Sequence, residues 1–358
     1  MPIYDALALF SGGLDSILAA RTVAAQGLKV LCLHYVSPFF GHPDRLDRWR
    51  EAYGLDIEPV DVGEAYVAML RDGPAHGVGK GLNPCVDCKI LMMSHARGLL
   101  ERYGAKFLIS GEVKGQRPMS QRRDALDVIS RDARVRDLLL RPLCALTLKP
   151  TPMEESGLVD RERLHGFNGR GRGPQLALAR ALGVTAIPQP AGGCLLTERE
   201  SAKRYLPVLA HHQAPTAADF ELANLGRQFW SGSRWMAMGR KQADNAALGA
   251  LARPGDILLD VEGFPSPLGL IRELPGHAWA PAELEDAAAL LASYSPKAVT
   301  SGLDVVVLAT RVGEAEPQAA RLTVRPARES KTGLAEPDWE AQAEAKRGLY
   351  GESREDDH

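Results

Sequence analysis

Residues 5–26 read DALALFSGGLDSILAARTVAAQ, and this stretch decides the fold of the first part of the chain. Asp5–Phe10 predicts a strand and Asp15–Gln26 predicts a helix, with a short loop between them. Two glycines let that loop turn tightly, so that successive N–H groups face one anion, and the helix adds its positive N-terminal end. The pattern therefore predicts a phosphate-binding loop, whose binding residues are Ser11, Gly12, Gly13, Asp15 and Ser16.

The segments that follow repeat the alternation of strand and helix. Further strands are predicted at Lys29–Tyr35, Ile57–Val62 and Phe107–Ser110, and helices at Arg45–Tyr53 and Lys89–Tyr103. Strands separated by helices indicate a parallel sheet covered on both faces. We therefore predict an α/β fold, a doubly wound parallel sheet, followed by a second, smaller α+β domain.

The length of 358 residues favours two domains. We place the first at residues 1–212, before a linker at Gln213–Thr216, and the second at residues 217–328. Beyond residue 329 apolar residues become sparse and charge dominates, so we predict a charged mobile tail over 329–358.

Composition narrows the class of protein. The formal net charge of -2 argues against a uniformly basic nucleic-acid binder, although residues 114–180 hold fourteen Lys/Arg against eight Asp/Glu. That excess fits either a local phosphate-binding surface or helix faces of mixed charge. No stretch approaches the ~20 apolar residues that cross a bilayer, so we expect a cytoplasmic protein with no membrane partner.

The cysteines are odd in number and widely spaced. In a reducing compartment they are expected to be thiols, metal ligands or redox-active groups instead of a disulfide scaffold. Cys32, inside an apolar strand, and Cys144 are predicted to be buried thiols. The other three are Cys85, Cys88 and Cys194.

The loop sequence Ser-Gly-Gly-Leu-Asp-Ser lacks the Gly-Lys-Ser/Thr of a Walker motif. It resembles the signature of the PP-loop ATP pyrophosphatases, whose fold is of the adenine nucleotide alpha hydrolase type. The resemblance implies that the chain uses ATP, split between the α- and β-phosphates, to adenylate a carbonyl oxygen of a second substrate. Asp15 is suited to hold Mg²⁺ beside the phosphates.

Three later segments are similar to the tRNA 4-thiouridine synthetases: His34–Phe39, Ser110–Gln121 and Arg141–Leu143. The resemblance implies that His34, Gly111 and Gln116 lie at the nucleotide. It also implies tRNA as substrate and a sulfur donor, either a cysteine desulfurase or free sulfide.

The cysteines carry the chemistry that distinguishes sulfur transfer from amide formation. Cys85 and Cys88 stand two residues apart at the start of a predicted helix, whose N-terminus would lower a thiol pKa. Cys194 follows two glycines. The segment Asn83–Cys88 is similar to a segment of the 2-thiouridine synthetases, in which one cysteine of the segment acts together with a distant second cysteine. Cys88 matches the first of these two cysteines, and Cys194 matches the second.

Three uses of these cysteines remain open. Cys194 could carry a persulfide that Cys88 resolves as a disulfide. Alternatively, Cys85, Cys88 and Cys194 could hold an iron–sulfur cluster (4Fe-4S), as in some tRNA thiolases of this superfamily. A structural zinc site is the third use, and it needs a fourth ligand.

The second domain contains the segment Met238–Asn245, which resembles the RNA-binding module of the NFACT proteins, with Asp244-Asn245 where Glu-Asn is usual. Arg240 and Lys241 are predicted to bind backbone phosphate, and Asn245 to brace the turn. An ordinary basic helix cap is the alternative.

Taken together, these features predict an ATP-dependent tRNA uridine thiolase, a sulfurtransferase that releases AMP and pyrophosphate. Two rival hypotheses remain: a PP-loop ligase that adenylates a small metabolite, and an RNA-binding protein with a relic nucleotide site.

Overall fold

The computed structural model describes residues 3–189, 193–313 and 319–351. These residues form two compact units, the first ending at Thr197 and the second covering Glu198–Gly351. Among the described residues, no helix is both long enough and apolar enough to cross a membrane.

A five-stranded parallel sheet forms the centre of the first unit. Its strands are β1 (Ala6–Leu9), β2 (Val30–Val36), β3 (Asp56–Asp61), β4 (Phe107–Ile109) and β5 (Leu139–Leu140). The helices of this unit are α1 (Leu14–Ala24), α2 (Leu46–Tyr53), α3 (Gly63–Asp72), α4 (Cys85–Tyr103), α5 (Arg123–Asp132), α6 (Pro152–Glu155) and α7 (Gly173–Ala181). The predicted α/β parallel sheet is confirmed.

The strand order is β3-β2-β1-β4-β5, so the chain reverses its direction of travel across the sheet between β1 and β4. In open parallel sheets, ligands bind beyond the carboxyl ends of the strands at such a switch point. Every residue of β1 is buried, because the strand has neighbours on both edges and helices on both faces. This burial explains why β1 is a continuous apolar run. The segments after β1 and β4, residues 10–16 and 110–121, therefore meet at the switch point.

The second unit is an antiparallel six-stranded sheet with helices, of order β11-β10-β8-β9-β7-β6. Its strands are β6 (Arg227–Ser231), β7 (Arg234–Met238), β8 (Ile257–Val261), β9 (Gly269–Arg272), β10 (Val305–Arg311) and β11 (Ala319–Val324). Its helices are α8 (Arg199–His211), α9 (Ala217–Asn224), α10 (Gln242–Leu251), α11 (Pro281–Ala292), α12 (Pro296–Ser301) and α13 (Trp339–Tyr350). The predicted α+β class of this part is confirmed.

The division between the units differs from the one predicted at residues 213–216. Helix α8 belongs to the second unit because its Tyr205 ring packs on Phe220 of α9, with ring centroids 5.8 Å apart. The Tyr205 hydroxyl also donates a hydrogen bond to Asn224. The predicted linker therefore joins two packed helices inside one unit.

The predicted mobile tail also differs from the structure over its described part. Ala335 pairs with Trp230 of β6, and α13 follows it. Asp286 accepts hydrogen bonds from the backbone N–H groups of Lys331 and Thr332, which fixes the polar segment before that pairing. Side-chain and backbone hydrogen bonds thus order a segment that has few apolar residues. Residues 352–358 lie outside the described part of the chain.

Candidate functional site

The loop after β1 is a tight turn that packs closely against its neighbours. Gly12 has a φ of +74°, and a Cβ there would lie 2.4 Å from the Trp49 ring, so only glycine fits. Ser16 Oγ donates to the Gly13 carbonyl at 2.8 Å, which ties the loop to the first turn of α1. Trp49 forms the wall behind the loop. The sequence analysis missed this role because α2 lies far from the loop along the chain.

The segment after β4 lies directly against this loop. A Cβ on Gly111 would come within 2.7 Å of the backbone of Asp15 and Ser16, so the close approach requires glycine. Gln116 Nε2 donates to Asp15 Oδ2 at 2.8 Å. Burial raises the pKa of Asp15, while the hydrogen bond from Gln116 and the charges of Arg172 and Arg117 favour its ionised form. The structure thus brings Gly111, Gln116 and Asp15 together.

Several buried polar atoms around this loop have no hydrogen-bond partner among the described residues. They are Ser110 Oγ, Glu112 Oε1, Gln116 Oε1, Gln121 Oε1 and both amide atoms of Gln175. Leaving a buried polar group unpaired costs roughly 1–3 kcal/mol, so a concentration of them indicates a site that a polar ligand completes. All belong to the segments that meet at the switch point or to the start of α7.

His34 has a different role from the one the resemblance implied. Its ring is 2% exposed, its Nδ1 lies 3.0 Å from the Phe10 carbonyl, and its Nε2 accepts the backbone N–H of His42 at 2.8 Å. This pairing assigns the proton to Nδ1, and burial lowers the pKa of the ring, which keeps it neutral. Since both ring nitrogens are occupied, His34 supports the loop from behind and has no free nitrogen for a nucleotide.

Arg141 is likewise a supporting residue. Its Nε donates to Glu112 Oε2 at 2.8 Å, and its guanidinium also reaches Ser130 Oγ at 3.0 Å, all in buried surroundings. Cys144 is fully buried and donates to the Glu112 carbonyl at 3.2 Å. Cys32 is fully buried inside β2. The prediction that Cys32 and Cys144 are buried thiols is confirmed.

The other three cysteines lie near one another, and we call their surroundings the thiol pocket. Cys85 and Cys88 occupy the first turn of α4, and Cys194 lies on the segment whose Leu195 N–H donates to the Phe39 carbonyl at 2.9 Å. Each pair among the three thiols interacts electrostatically. The Tyr66 hydroxyl points at the same thiols from α3, and its ring packs against Phe40 with centroids 5.0 Å apart. Gly192, one of the two glycines before Cys194, lies outside the described residues.

The predicted lowering of the Cys88 pKa by the helix N-terminus is wrong. Burial raises the pKa of Cys88 to about 12 and that of Cys194 to about 11, because desolvation disfavours the thiolate. The Cys88 residue is partly exposed to solvent, although protein atoms surround its sulfur. Both thiols are protonated near neutral pH.

The thiols do not fit a metal site as they stand. Within the described ranges, no three Cys, His, Asp or Glu side chains lie close enough together to bind one ion. The arrangement therefore supports neither the 4Fe-4S cluster nor the zinc site.

One segment connects the thiol pocket with the phosphate loop. Asn83 Nδ2 lies 3.2 Å from both Cys85 Sγ and Met119 Sδ. Met119 is three residues after Gln116, which binds Asp15. The loop after β1 and the thiols are thus two ends of one contact network, and this role of Asn83 and Met119 was not predicted from the sequence.

In the second unit, the three residues predicted to bind RNA lie in the turn before α10, which contains Arg240 and Lys241, and in the first turn of that helix, which contains Asn245. Arg240 and Lys241 are exposed. Asn245 Oδ1 accepts the backbone N–H of Leu268 at 3.1 Å, and a Cβ on Gly239 would lie 2.0 Å from that oxygen. Asn245 therefore braces the turn, and the two cationic side chains are free to extend into solvent.

Comparison with known proteins gives one partial sequence match. The chain is 28% identical over 148 residues to a probable tRNA sulfurtransferase from Thermococcus kodakarensis. The aligned region covers 39% of this chain. The match spans 37% of the length of that relative. No protein-family model matches the chain.

Three solved structures share a limited likeness. A predicted subunit of a tRNA methyltransferase from Methanocaldococcus jannaschii is 15% identical, with a TM-score of 0.30, over 39% of this chain and 69% of that one. The C-terminal part of the fibronectin/fibrinogen-binding protein from Streptococcus suis is 13% identical, with a TM-score of 0.25, over 45% of this chain and 76% of that one. NMN synthetase from Francisella tularensis is 15% identical, with a TM-score of 0.26, over 53% of this chain and 91% of that one. Likeness at TM-scores this low carries no argument about function.

Proposed function

We propose that the protein is an ATP-dependent tRNA-modifying enzyme that replaces a uridine carbonyl oxygen with sulfur. One observation carries the proposal: a phosphate-binding loop and three cysteines lie in the same unit and are joined through the segment after β4. A nucleotide loop alone fits any adenylating enzyme, and thiols beside it supply a nucleophile for sulfur transfer. The partial match to a tRNA sulfurtransferase supports this choice of substrate.

In the first step, the Ser11–Ser16 loop binds the triphosphate, and Asp15 faces the phosphates. Mg²⁺, when bound beside Asp15, would neutralise phosphate charge. The uridine carbonyl oxygen attacks the α-phosphorus, pyrophosphate leaves, and the uridine is adenylated. The protein contributes mainly by holding both reactants in place.

In the second step, a persulfide on a cysteine desulfurase donates its outer sulfur: Cys194 loses its proton and attacks that sulfur, the S–S bond of the donor breaks, the desulfurase cysteine leaves as a thiol, and Cys194 carries the persulfide. Its terminal sulfur attacks the adenylated carbon, and AMP leaves. Cys88 loses its proton and attacks the inner sulfur of Cys194, which breaks the S–S bond and releases the thiocarbonyl on the uridine. The resulting Cys88–Cys194 disulfide is returned to two thiols by an external dithiol reductant. Of the three uses of the cysteines, this one fits the described side chains best, because it needs two thiols that react in turn and does not need three ligands around one ion.

Mass spectrometry of tRNA nucleosides from cells with and without the gene tests the proposal. We expect one thiolated uridine to disappear on deletion and to return with the wild-type gene but not with Asp15→Asn, which has almost the same shape but lacks the charge. In vitro, Asp15→Asn should abolish tRNA-dependent pyrophosphate release. Unchanged thiouridine in the deletion strain, with pyrophosphate release driven by a small metabolite, would favour the ligase alternative.

A further inference from the structure

A series of ring contacts leads from the core of the second unit to its surface, and the function proposed above does not use it. Trp230 and Trp235 are cross-strand partners in the β6–β7 hairpin, and their rings stack with centroids 4.8 Å apart and an interplanar angle of 15°. The fully buried Arg272 guanidinium lies 5.8 Å from the Trp235 centroid. The His211 ring, on the last residue of α8, lies against Trp230, with centroids 6.0 Å apart and an angle of 30°.

His211 is the exposed end of this series. Within the described ranges, neither of its ring nitrogens forms a hydrogen bond or an ion pair. Burial lowers the pKa of the ring, and the nearby His277 lowers it further, so the ring is neutral near neutral pH. A neutral aromatic ring that is supported by a tryptophan and reaches solvent is suited to stack against a nucleobase.

Arg204 lies on the same side of α8 as His211. The two residues are seven positions apart, which is about two helical turns, so their side chains share one face of the helix. Arg204 is half-buried and forms no ion pair in the part of the chain that the structure describes. The carboxylates of Glu200 and Glu336 act on it electrostatically, but each forms an ion pair with another cation. The Arg204 charge is therefore available to a ligand.

A second guanidinium lies near Arg204. Burial lowers the pKa of Arg204, and the positive charge of Arg240, in the turn before α10, lowers it further. Two neighbouring guanidinium groups repel each other, and an anion bound by both would remove that repulsion. Arg240, Arg204 and His211 thus combine two phosphate-binding groups with a stacking ring, and we call these three residues the α8 surface.

We propose that the α8 surface binds one unpaired segment of RNA, with backbone phosphates on the two arginines and a base stacked on the His211 ring. The inference rests on the proposed function, because it takes tRNA as the substrate. It adds which part of the RNA the second unit binds, namely nucleotides outside the double helix. Inside a duplex each base is stacked between its neighbours and cannot reach the ring, whereas the phosphates stay accessible. The surface therefore distinguishes unpaired RNA from paired RNA.

Binding of the full-length chain to an oligouridine strand of about twelve nucleotides and to an RNA duplex of equal length, measured by fluorescence anisotropy, tests this surface. His211→Ala should weaken binding of the single strand about tenfold, the loss expected for one base–aromatic stack, and should change binding of the duplex less than about twofold. His211→Phe keeps a ring and should bind the single strand as the wild type does.

Arg204→Gln should weaken binding of both RNAs, because both present phosphates. For the single strand, the slope of log Kd against log salt should fall by about 0.7, whereas His211→Ala should leave that slope unchanged. Lys203→Gln is the matched control, since it removes a charge from the next position of the same helix that already pairs with Glu200. The control should match the wild type.

An unchanged Kd of His211→Ala for the single strand would overturn the inference, and so would equal weakening of both RNAs. A His211→Phe variant as weak as His211→Ala would exclude stacking, and unchanged binding by Arg204→Gln would remove the arginine from the RNA surface. These measurements involve no sulfur transfer, so the proposed function is tested separately. A chain that prefers unpaired RNA through His211 but never forms thiouridine would contradict that function and leave the α8 surface standing.

Discussion

Cys88 and Cys144 are both cysteines of the first unit, yet their surroundings give them different chemistry. Cys144 is fully enclosed and donates a hydrogen bond to the Glu112 carbonyl. Cys88 lies beside two further thiols and the Tyr66 hydroxyl. Burial raises the pKa of both thiols, but their neighbours differ. The surroundings of Cys144 fit a packing role, and those of Cys88 fit the reactive role that we propose for it.

Cys88→Ala should abolish thiolation of tRNA and leave tRNA-dependent pyrophosphate release intact, because adenylation precedes sulfur transfer. Cys144→Ala should keep thiolation and reduce the free energy of unfolding by about 1 kcal/mol, because one buried sulfur no longer packs against its neighbours. The prediction is checked by measuring thiouridine formation, pyrophosphate release and thermal unfolding in both variants. Full thiolation by Cys88→Ala would exclude the disulfide-forming step.

At the scale of elements, the segment after β4 connects the two reacting centres. Its first part approaches the loop backbone at Gly111, its middle holds Asp15 through Gln116, and Met119 meets Asn83 beside Cys85. A shift of this segment therefore moves the nucleotide and the thiols relative to one another. Under the proposed function, adenylation and sulfur transfer therefore depend on the same backbone.

Gly111→Ala should weaken ATP binding while the fold remains. The new Cβ would lie 2.7 Å from the backbone of Asp15 and Ser16, and backbone cannot swing aside as a flexible side chain does. We expect a loss of about 1–3 kcal/mol in unfolding free energy from overpacking and a clear rise in the Kd for ATP. Gly98→Ala, with nothing within 4 Å of its Cβ, is the matched control and should leave ATP binding unchanged. Equal Kd values for the two variants would refute the close approach.

At the scale of the whole molecule, the chain divides into two units that contain different candidate functional residues. The phosphate loop and the thiols belong to the first unit, and the exposed Arg240 and Lys241 belong to the second. Nucleotide chemistry and the proposed binding of RNA phosphate can therefore be changed independently.

The double variant Arg240→Glu with Lys241→Glu should reduce tRNA affinity and leave ATP affinity unchanged. For every phosphate that the variant no longer binds, the slope of log Kd against log salt should fall by about 0.9 or less. Binding should depend little on RNA sequence, because phosphate groups carry no sequence information. The control reverses two other exposed cations of the same unit, Lys297→Glu with Arg347→Glu, for which the described part of the chain offers no ion-pair partner, and it measures the effect of net charge. If both double variants bind tRNA equally well, the turn before α10 is not the RNA surface.

The sequence alone determined the parallel sheet, the glycine-containing turn between β1 and α1 and the burial of Cys32 and Cys144. These features depend on neighbours along the chain: the alternation of apolar runs, and two glycines between a strand and a helix. The tertiary structure alone decided the end of the first unit, the supporting role of His34, the raised pKa of Cys88 and the meeting of Arg117 and Arg172 at Asp15. Those outcomes depend on desolvation and on contacts such as Gln116 to Asp15, which joins residues 101 positions apart. Local pattern specifies the elements, and the folded surroundings set the charge state and the partners of each side chain.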